Sequence, residues 1–270
     1  MNEKNVDVIS RIFNWYDLGD LSEEEFYKMA NKINFDLEKE IIFKCSFSYY
    51  KKCTVFSLNK TPLLFLKYVR ENYFSEILGL HLTRYFFDPA LCCDGYLTGI
   101  YQKGRLIKQE IPYILTTYVE GEDISNYRLA DFKHYLGRHY YLHHILSLYD
   151  VYDRHLIVRD DKSLCRIDFG RSFENMQKNY LGFADYFKVN GIDPSDKQIQ
   201  NGYEKEKEIV RKNLENKKYE LAKIIRMIKE LKDDRELIFF ESPKFVNRLI
   251  DHWSQINFLD DMDLTKIEWI

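Results

Sequence analysis

The chain has 270 residues, and its 40 Lys and Arg stand against 43 Asp and Glu for a formal net charge of −3. A dedicated nucleic-acid binder carries a basic excess that displaces counterions from phosphates, and no such excess exists here. A hydrophobic share of 45% beside 31% charged residues marks a chain that buries a core and excludes wholesale disorder.

Residues 1–39 are predicted to form an N-terminal helical extension, because Ser22-Glu23-Glu24-Glu25 has the form of a capping box and Phe26, Met29 and Ile33 follow at helical spacing. From Glu40 the pattern changes to short β-rich runs, Ile41–Phe47, Cys53–Leu58 and Leu63–Val69, with polar turns predicted at Tyr49–Lys52 and Asn59–Pro62. Glu71–Phe87 reads as a helix with Phe74, Ile77, Leu78 and Leu82 on one stripe, and Gly95–Gln102 and Ile111–Tyr118 read as strands. Beyond Gly121 helices dominate. Arg128–Leu148 is predicted as one long helix, Leu156–Arg159 and Leu164–Ile167 as a hairpin across Asp160–Ser163, and Tyr203–Leu231 as a long charged helix. Val210, Leu214, Leu221, Ile224, Ile228 and Leu231 on that last helix suit a stripe packed on its own domain, with a coiled-coil partner surface as the alternative. A small β-rich part with one helix, followed by a larger helical part, is an α+β arrangement and not a series of βαβ units.

Cys45, Cys53, Cys92, Cys93 and Cys165 are odd in number and form no C-x-x-C pair, which argues against a disulfide framework or structural zinc and leads to the expectation of a reducing, cytoplasmic setting. No stretch approaches the roughly 18 apolar residues of a membrane span. His134, His139, His143 and His144 crowd one predicted helix. His139 and His143, four apart, have the spacing of a metal pair, but no H-E-x-x-H accompanies them and packing roles are expected.

The most informative stretch runs from Leu148 to Gly170, LYDVYDRHLIVRDDKSLCRIDFG: two acidic groups flank a hairpin, and the second closes with Asp168-Phe169-Gly170 directly after a strand. A carboxylate there can hold a divalent cation against nucleotide phosphates, and Gly170 is expected to let the chain turn sharply. Asp150 lies eighteen positions before Asp168. In this register the segment resembles the catalytic and metal loops of the protein-kinase-like superfamily, H-R-D-x-x-x-x-N through D-F-G.

The resemblance implies a two-lobed fold: an N-lobe at 40–117, a hinge at 118–122, and a helical C-lobe at 123–270 carrying the catalytic and metal loops. It makes Asp150 the catalytic aspartate and Asp168 a metal ligand. Leu148 and Tyr149 then replace His-Arg, Tyr152 replaces a lysine, and His155 falls at the position of the metal-ligating asparagine, where a nitrogen donor would favour Mn²⁺ over Mg²⁺. In an alternative register, Asp153-Arg154-His155 resembles the D-R-H of phosphoinositide-kinase-like, HipA-like and secretory-pathway kinases and makes Asp153 the catalytic acid. The first two branches place an asparagine five residues later, where this chain has Val158, predicted as core.

Upstream, Lys67 in LLFLKYV resembles the V-A-I-K lysine that contacts the α- and β-phosphates, and its glutamate partner would be Glu76 or Glu71. Residues Ile111–Ile124 resemble the hinge, whose backbone at Thr117, Tyr118 and Val119 would meet adenine. The first turn of the β-rich part, Ser46–Lys52, has no glycine, so Ser46, Ser48, Lys51 and Lys52 would supply phosphate donors instead. Past Gly170 there is no A-P-E, and Asp185 in GFADYFK is a candidate anchor for the helical lobe. The activity implied is transfer of the ATP γ-phosphoryl group, with Mg²⁺ or Mn²⁺, to a hydroxyl acceptor expected on a protein. Arg154 or Arg171 would be the candidates to neutralise the transferred charge, although surface ion pairs are the expected role of both. A pseudokinase scaffold without turnover, or a small-molecule or lipid kinase, are the alternatives.

Overall fold

A computed structural model describes residues 37–46, 49–58, 60–68, 73–93, 95–98, 101–102, 105–106, 113–148, 151–170, 172–173, 182–217 and 251–253. The chain is α+β and divides into two compact units, residues 1–73 with 93–120, and residues 74–92 with 121–270. The expected helix in residues 1–36 lies outside the described residues.

The first unit is built on an antiparallel sheet of five strands, β1 (Leu37–Ser46), β2 (Tyr49–Leu58), β3 (Thr61–Tyr68), β4 (Gly95–Thr98) and β7 (Tyr113–Thr117), in the order β1-β2-β3-β7-β4. Two short strands, β5 (Tyr101–Gln102) and β6 (Arg105–Leu106), pair separately. The first strand begins at Leu37, so the last three residues assigned to the helical extension belong to the sheet. The predicted turn at Tyr49–Lys52 is instead strand, with Tyr50 opposite Cys45, Lys51 opposite Lys44 and Lys52 opposite Phe43. Hydropathy marks Tyr-Tyr-Lys-Lys as polar, but tyrosine is a strong strand former, and pairing along β1 outweighs the polarity of the run. The β2–β3 register shifts between Phe56 and Ser57, next to Pro62, whose missing N–H is tolerated at such an irregularity.

The second unit contains α1 (Tyr73–Phe86), β8 (Glu122–Asp123), α2 (Lys133–Leu146), β9 (Leu156–Val158), β10 (Leu164–Arg166), α3 (Gly182–Val189) and α4 (Lys197–Asn216). Its core gathers Ile124, Leu136, Leu156, Val158, Leu164 and Phe183 with their neighbours. The single helix predicted at Arg128–Leu148 is a 3₁₀ turn, Leu129–Phe132, followed by α2. Arg128 offers no side-chain cap, and the last turn ends at a left-handed Ser147 with Leu148 N–H donating to the His143 carbonyl. Helix α4 starts six residues before its expected position, because the Asp196 carboxylate accepts from Gln198 N–H and caps it. Ile199, Gly202, Glu206, Val210 and Leu214 form its buried stripe, so the part of that stripe within the described residues packs on its own unit. Leu221, Ile224, Ile228 and Leu231 lie outside the described residues.

Helices α2 and α4 approach so closely that a Cβ on Gly137 would stand 1.9 Å from the Ile199 carbonyl oxygen, and one on Gly202 2.0 Å from that of His134. This contact brings Arg138 onto Glu206. Nε and Nη2 donate to Glu206 Oε2 at 2.9 and 2.7 Å, Nη2 also serves Asp88, and the Asp88 amide donates to Glu206 Oε1. Burial pushes the Glu206 carboxyl up despite the guanidinium, whereas for Asp88 the opposing burial is outweighed by the Ala90 amide and Arg138, which hold it below the usual range. Among the described residues no helix is long and apolar enough to cross a membrane.

Gly202→Ala must push backbone against backbone and is expected to lower stability by about 1–3 kcal/mol. Asn201→Ala, at an exposed site one residue away, should stay within about 0.5 kcal/mol. Urea midpoints compare the two.

Candidate active site

The hairpin β9–β10 carries the candidate residues at its open end. Leu156, Val158 and Leu164 are apolar and buried, β9 also pairs with β8, and the turn closes with Ser163 N–H on the Asp161 carboxylate. At the other end Ile167 N–H donates to the His155 carbonyl, 2.9 Å away. That bond places the 3₁₀ turn Asp153–His155 opposite the residues that follow β10. His155 Nε2 and Asp168 Oδ2 are consequently 3.9 Å apart, with the Asp168 side chain one-third exposed (33%) and that of His155 nearly covered.

Asp168 takes the left-handed conformation, φ +64°. For a residue with a Cβ this costs about 1 kcal/mol or somewhat more, and such residues cluster at functional sites. Its Oδ1 accepts from Gly170 N–H at 3.3 Å, a local turn of the kind aspartate favours. The sharp turn expected of Gly170 is therefore made by Asp168. What glycine contributes is room, since a Cβ there would lie 3.3 Å from Asp168 Oδ1 and 3.4 Å from Glu76 Oε2.

Glu76 comes from α1 and is buried. One turn further on the same helix, Gly79 lies against the segment after β10: a Cβ on Gly79 would stand 3.1 Å from Phe169 Cβ and 2.7 Å from Ser172 Oγ. Phe169 is fully buried, and its carbonyl accepts from both Ser172 N–H and Ser172 O–H. Helix α1 thus holds the turn down and sets the Glu76 carboxylate beside it.

Glu76, His155 and Asp168 are brought together within the second unit. Asp153 stands in the adjoining turn, where its Oδ1 accepts from the Tyr186 hydroxyl at 2.6 Å. Burial, and then Asp153, pushes the Tyr186 phenol up, so it remains a donor. Arg154 is exposed, lies over the Tyr152 ring and points Nε at His155 Nε2 from 3.5 Å. That contact needs a lone pair on Nε2, as metal ligation would, whereas an ion pair with Asp168 needs a proton there.

Lys67 belongs to the first unit, on β3 opposite Cys53 and Ile114. Thr117 ends β7, Tyr118 is exposed, and Val119 is partly covered. Glu122, in the stretch expected as a hinge, is paired with Val158 in β8–β9. Asp150, Glu71, Ser48 and Arg171 lie outside the described residues.

Two further side chains, Tyr186 and Arg166, meet this part of the structure. Asp185, the expected anchor, is exposed, and it is the neighbouring Tyr186 that reaches the Asp153–His155 turn. Arg166 lies fully buried two residues before Asp168, and the signal for it is a cation inside the apolar hairpin strand L-C-R-I. Val158 is core, as expected, so the D-R-H register has no asparagine at that position.

The histidine pair on α2 packs. His139 Nε2 faces the Leu164 carbonyl at 2.8 Å, and His143 Nε2 faces Arg166 Nη1 at 3.2 Å while its ring meets Phe183 edge-on. Among the described residues no group of three His, Cys, Asp or Glu is placed to hold a metal ion. Mg²⁺, however, is commonly bound through one or two carboxylates together with substrate phosphates, and Asp168 and Glu76 are carboxylates of the kind that mode needs. No protein-family model matches the chain, and no curated protein matches it.

Burial lowers the imidazole of His139 to about 3 and that of His144 to about 4, and holds His143 well below its ordinary value with Arg166 adding to the effect. These groups fold neutral but take up protons near pH 6.5 when unfolded. Their contribution is complete above about pH 6.5 and is lost as pH falls toward the folded values, with a slope of up to about 1.4 kcal/mol per pH unit for each group. Urea midpoints should drop between pH 7 and 5, and His139→Gln, whose amide can still donate to Leu164, should show a shallower drop.

Proposed function

We propose that the protein is an atypical kinase of two-lobed, protein-kinase-like fold, transferring the ATP γ-phosphoryl group to a hydroxyl acceptor, with protein the expected acceptor class. The observation that carries this is the convergence on one turn of a left-handed, part-exposed Asp168, the buried Glu76 of α1 and the His155 end of the preceding turn. The architecture of each unit is compatible with it: an antiparallel sheet in the first, and a helical unit with a β-hairpin in the second.

ATP, with its divalent cation, supplies the phosphoryl group and much of the charge neutralisation. Asp168 would hold that cation, with His155 as a second donor when its Nε2 is unprotonated. Lys67 would hold the α- and β-phosphates, a role resting on its strand position and on the resemblance. Asp150 would accept the proton of the acceptor hydroxyl as that oxygen bonds phosphorus and the bond to the ADP oxygen breaks. Asp153 would brace the turn, since one of its oxygens is spent on Tyr186. Positioning and fixed charge, more than covalent chemistry, would supply the rate.

ATP turnover with Mg²⁺ and with Mn²⁺ tests the assignment. Asp168→Ala should lower kcat by on the order of 10²–10³. Asp150→Asn should cost on the order of 10²–10⁴, while Asp153→Asn, whose amide oxygen still accepts from Tyr186, should keep most of the activity. The opposite ranking transfers the proton-accepting role to Asp153. Nucleotide binding without turnover in the unaltered protein would make it a scaffold, and turnover indifferent to Asp168→Ala would remove the site.

A further inference from the structure

Arg166 is a fully buried cation on β10, in a strand whose neighbours Leu164 and Cys165 are also buried. A buried guanidinium is costly unless its N–H groups are engaged, so its partners show what it is there to hold. Nη2 donates to the backbone carbonyl of Asp168 at 3.0 Å, Nη1 meets His143 Nε2 at 3.2 Å, and the guanidinium carbon lies 5.9 Å from the centre of the Phe169 ring. All these groups belong to the second unit. Arg166 can only donate, so His143 must accept at Nε2, and the pair joins helix α2 to the Asp168 carbonyl.

We infer that Arg166 is a positioning residue for Asp168: by gripping the carbonyl of that residue from beneath, it holds the peptide plane that the left-handed conformation requires and so aims the carboxylate outward. Local interactions alone do not do this. The Asp168 side chain engages Gly170 N–H, which shapes the turn after Asp168, but the orientation of the Asp168 carbonyl is set from the strand side. His143 braces the guanidinium, and Phe169, packed under α1, covers it. The inference rests on the proposed role of Asp168 for its link to metal binding, but the conformational part concerns this chain alone.

The test uses the full-length protein labelled with ¹³C-aspartate, as wild type, Arg166→Met, Arg166→Lys and Asp168→Asn. The Asp168 signal is identified by its loss in Asp168→Asn, and Mn²⁺ titration measures metal affinity. In Arg166→Met the Asp168 signal should be displaced while the other aspartate signals remain, and Mn²⁺ affinity should fall about 10- to 100-fold, the usual effect of losing a group that orients a ligand. Arg166→Lys, with one ammonium for two acceptors, should give a smaller displacement and a smaller loss. A folded Arg166→Met with an unmoved Asp168 signal and wild-type Mn²⁺ affinity overturns the inference. If Arg166→Met does not fold, an unmoved signal in Arg166→Lys overturns it equally. Should Asp168→Asn bind Mn²⁺ as the wild type does, the metal role of Asp168 fails, and the displacement of the signal still decides whether Arg166 sets its conformation.

Discussion

Burial of Phe169 is the constraint around which the candidate site is arranged. The ring is fully enclosed, with Gly79 of α1 against its Cβ and the Arg166 guanidinium near its face. Removing a phenyl ring from water stabilises by a few kcal/mol, enough to offset a backbone strain of about 1 kcal/mol at the residue before it. With Phe169 directed inward, Asp168 turns through the left-handed region and presents a part-exposed carboxylate. The same packing fixes the rotation of α1 about its axis and so places Glu76, one turn before Gly79, beside Gly170.

Among the described residues, two buried cations, Arg138 and Arg166, organise the second unit in different ways. Arg138 is matched to Glu206 and Asp88 where α2 crosses α4, at a contact close enough to need glycine on both helices. Such a group of charges adds little net stability but is costly to break, so it specifies how the two helices sit. Arg166 instead serves a backbone carbonyl and a neutral histidine. Around it His139 and His143 stay uncharged because burial and the nearby guanidinium both oppose protonation, and Nε2 of each is engaged, by the Leu164 carbonyl and by Arg166.

Much of the hairpin and of the turn after it was legible in the sequence. Leu156-Ile157-Val158 and Leu164-Cys165 are short apolar runs on either side of an Asp-Asp-Lys-Ser turn, and a carboxylate soon after the second strand marks a candidate site. The stripe on α4 was legible through Val210 and Leu214, although its start was misplaced because the capping role of Asp196 lay outside the apolar pattern. Tyr49–Lys52 has the local polarity of a turn, and that polarity carries no information about the strand paired opposite it. Asp185 is the charged residue of GFADYFK, whereas Tyr186, a phenol in an aromatic run, looks like core until its hydroxyl is seen on Asp153.

Local periodicity and residue type are enough to set the α+β order of elements, the position of Asp168 near a strand end, and the apolar runs that bury the hairpin. That Asp168 and not Gly170 makes the turn, that Glu76 and His155 lie near it, and that Arg166 donates to its carbonyl emerge with the folded arrangement alone. Those outcomes depend on contacts between residues distant in the chain, where burial and hydrogen bonding override the conformation each residue prefers alone.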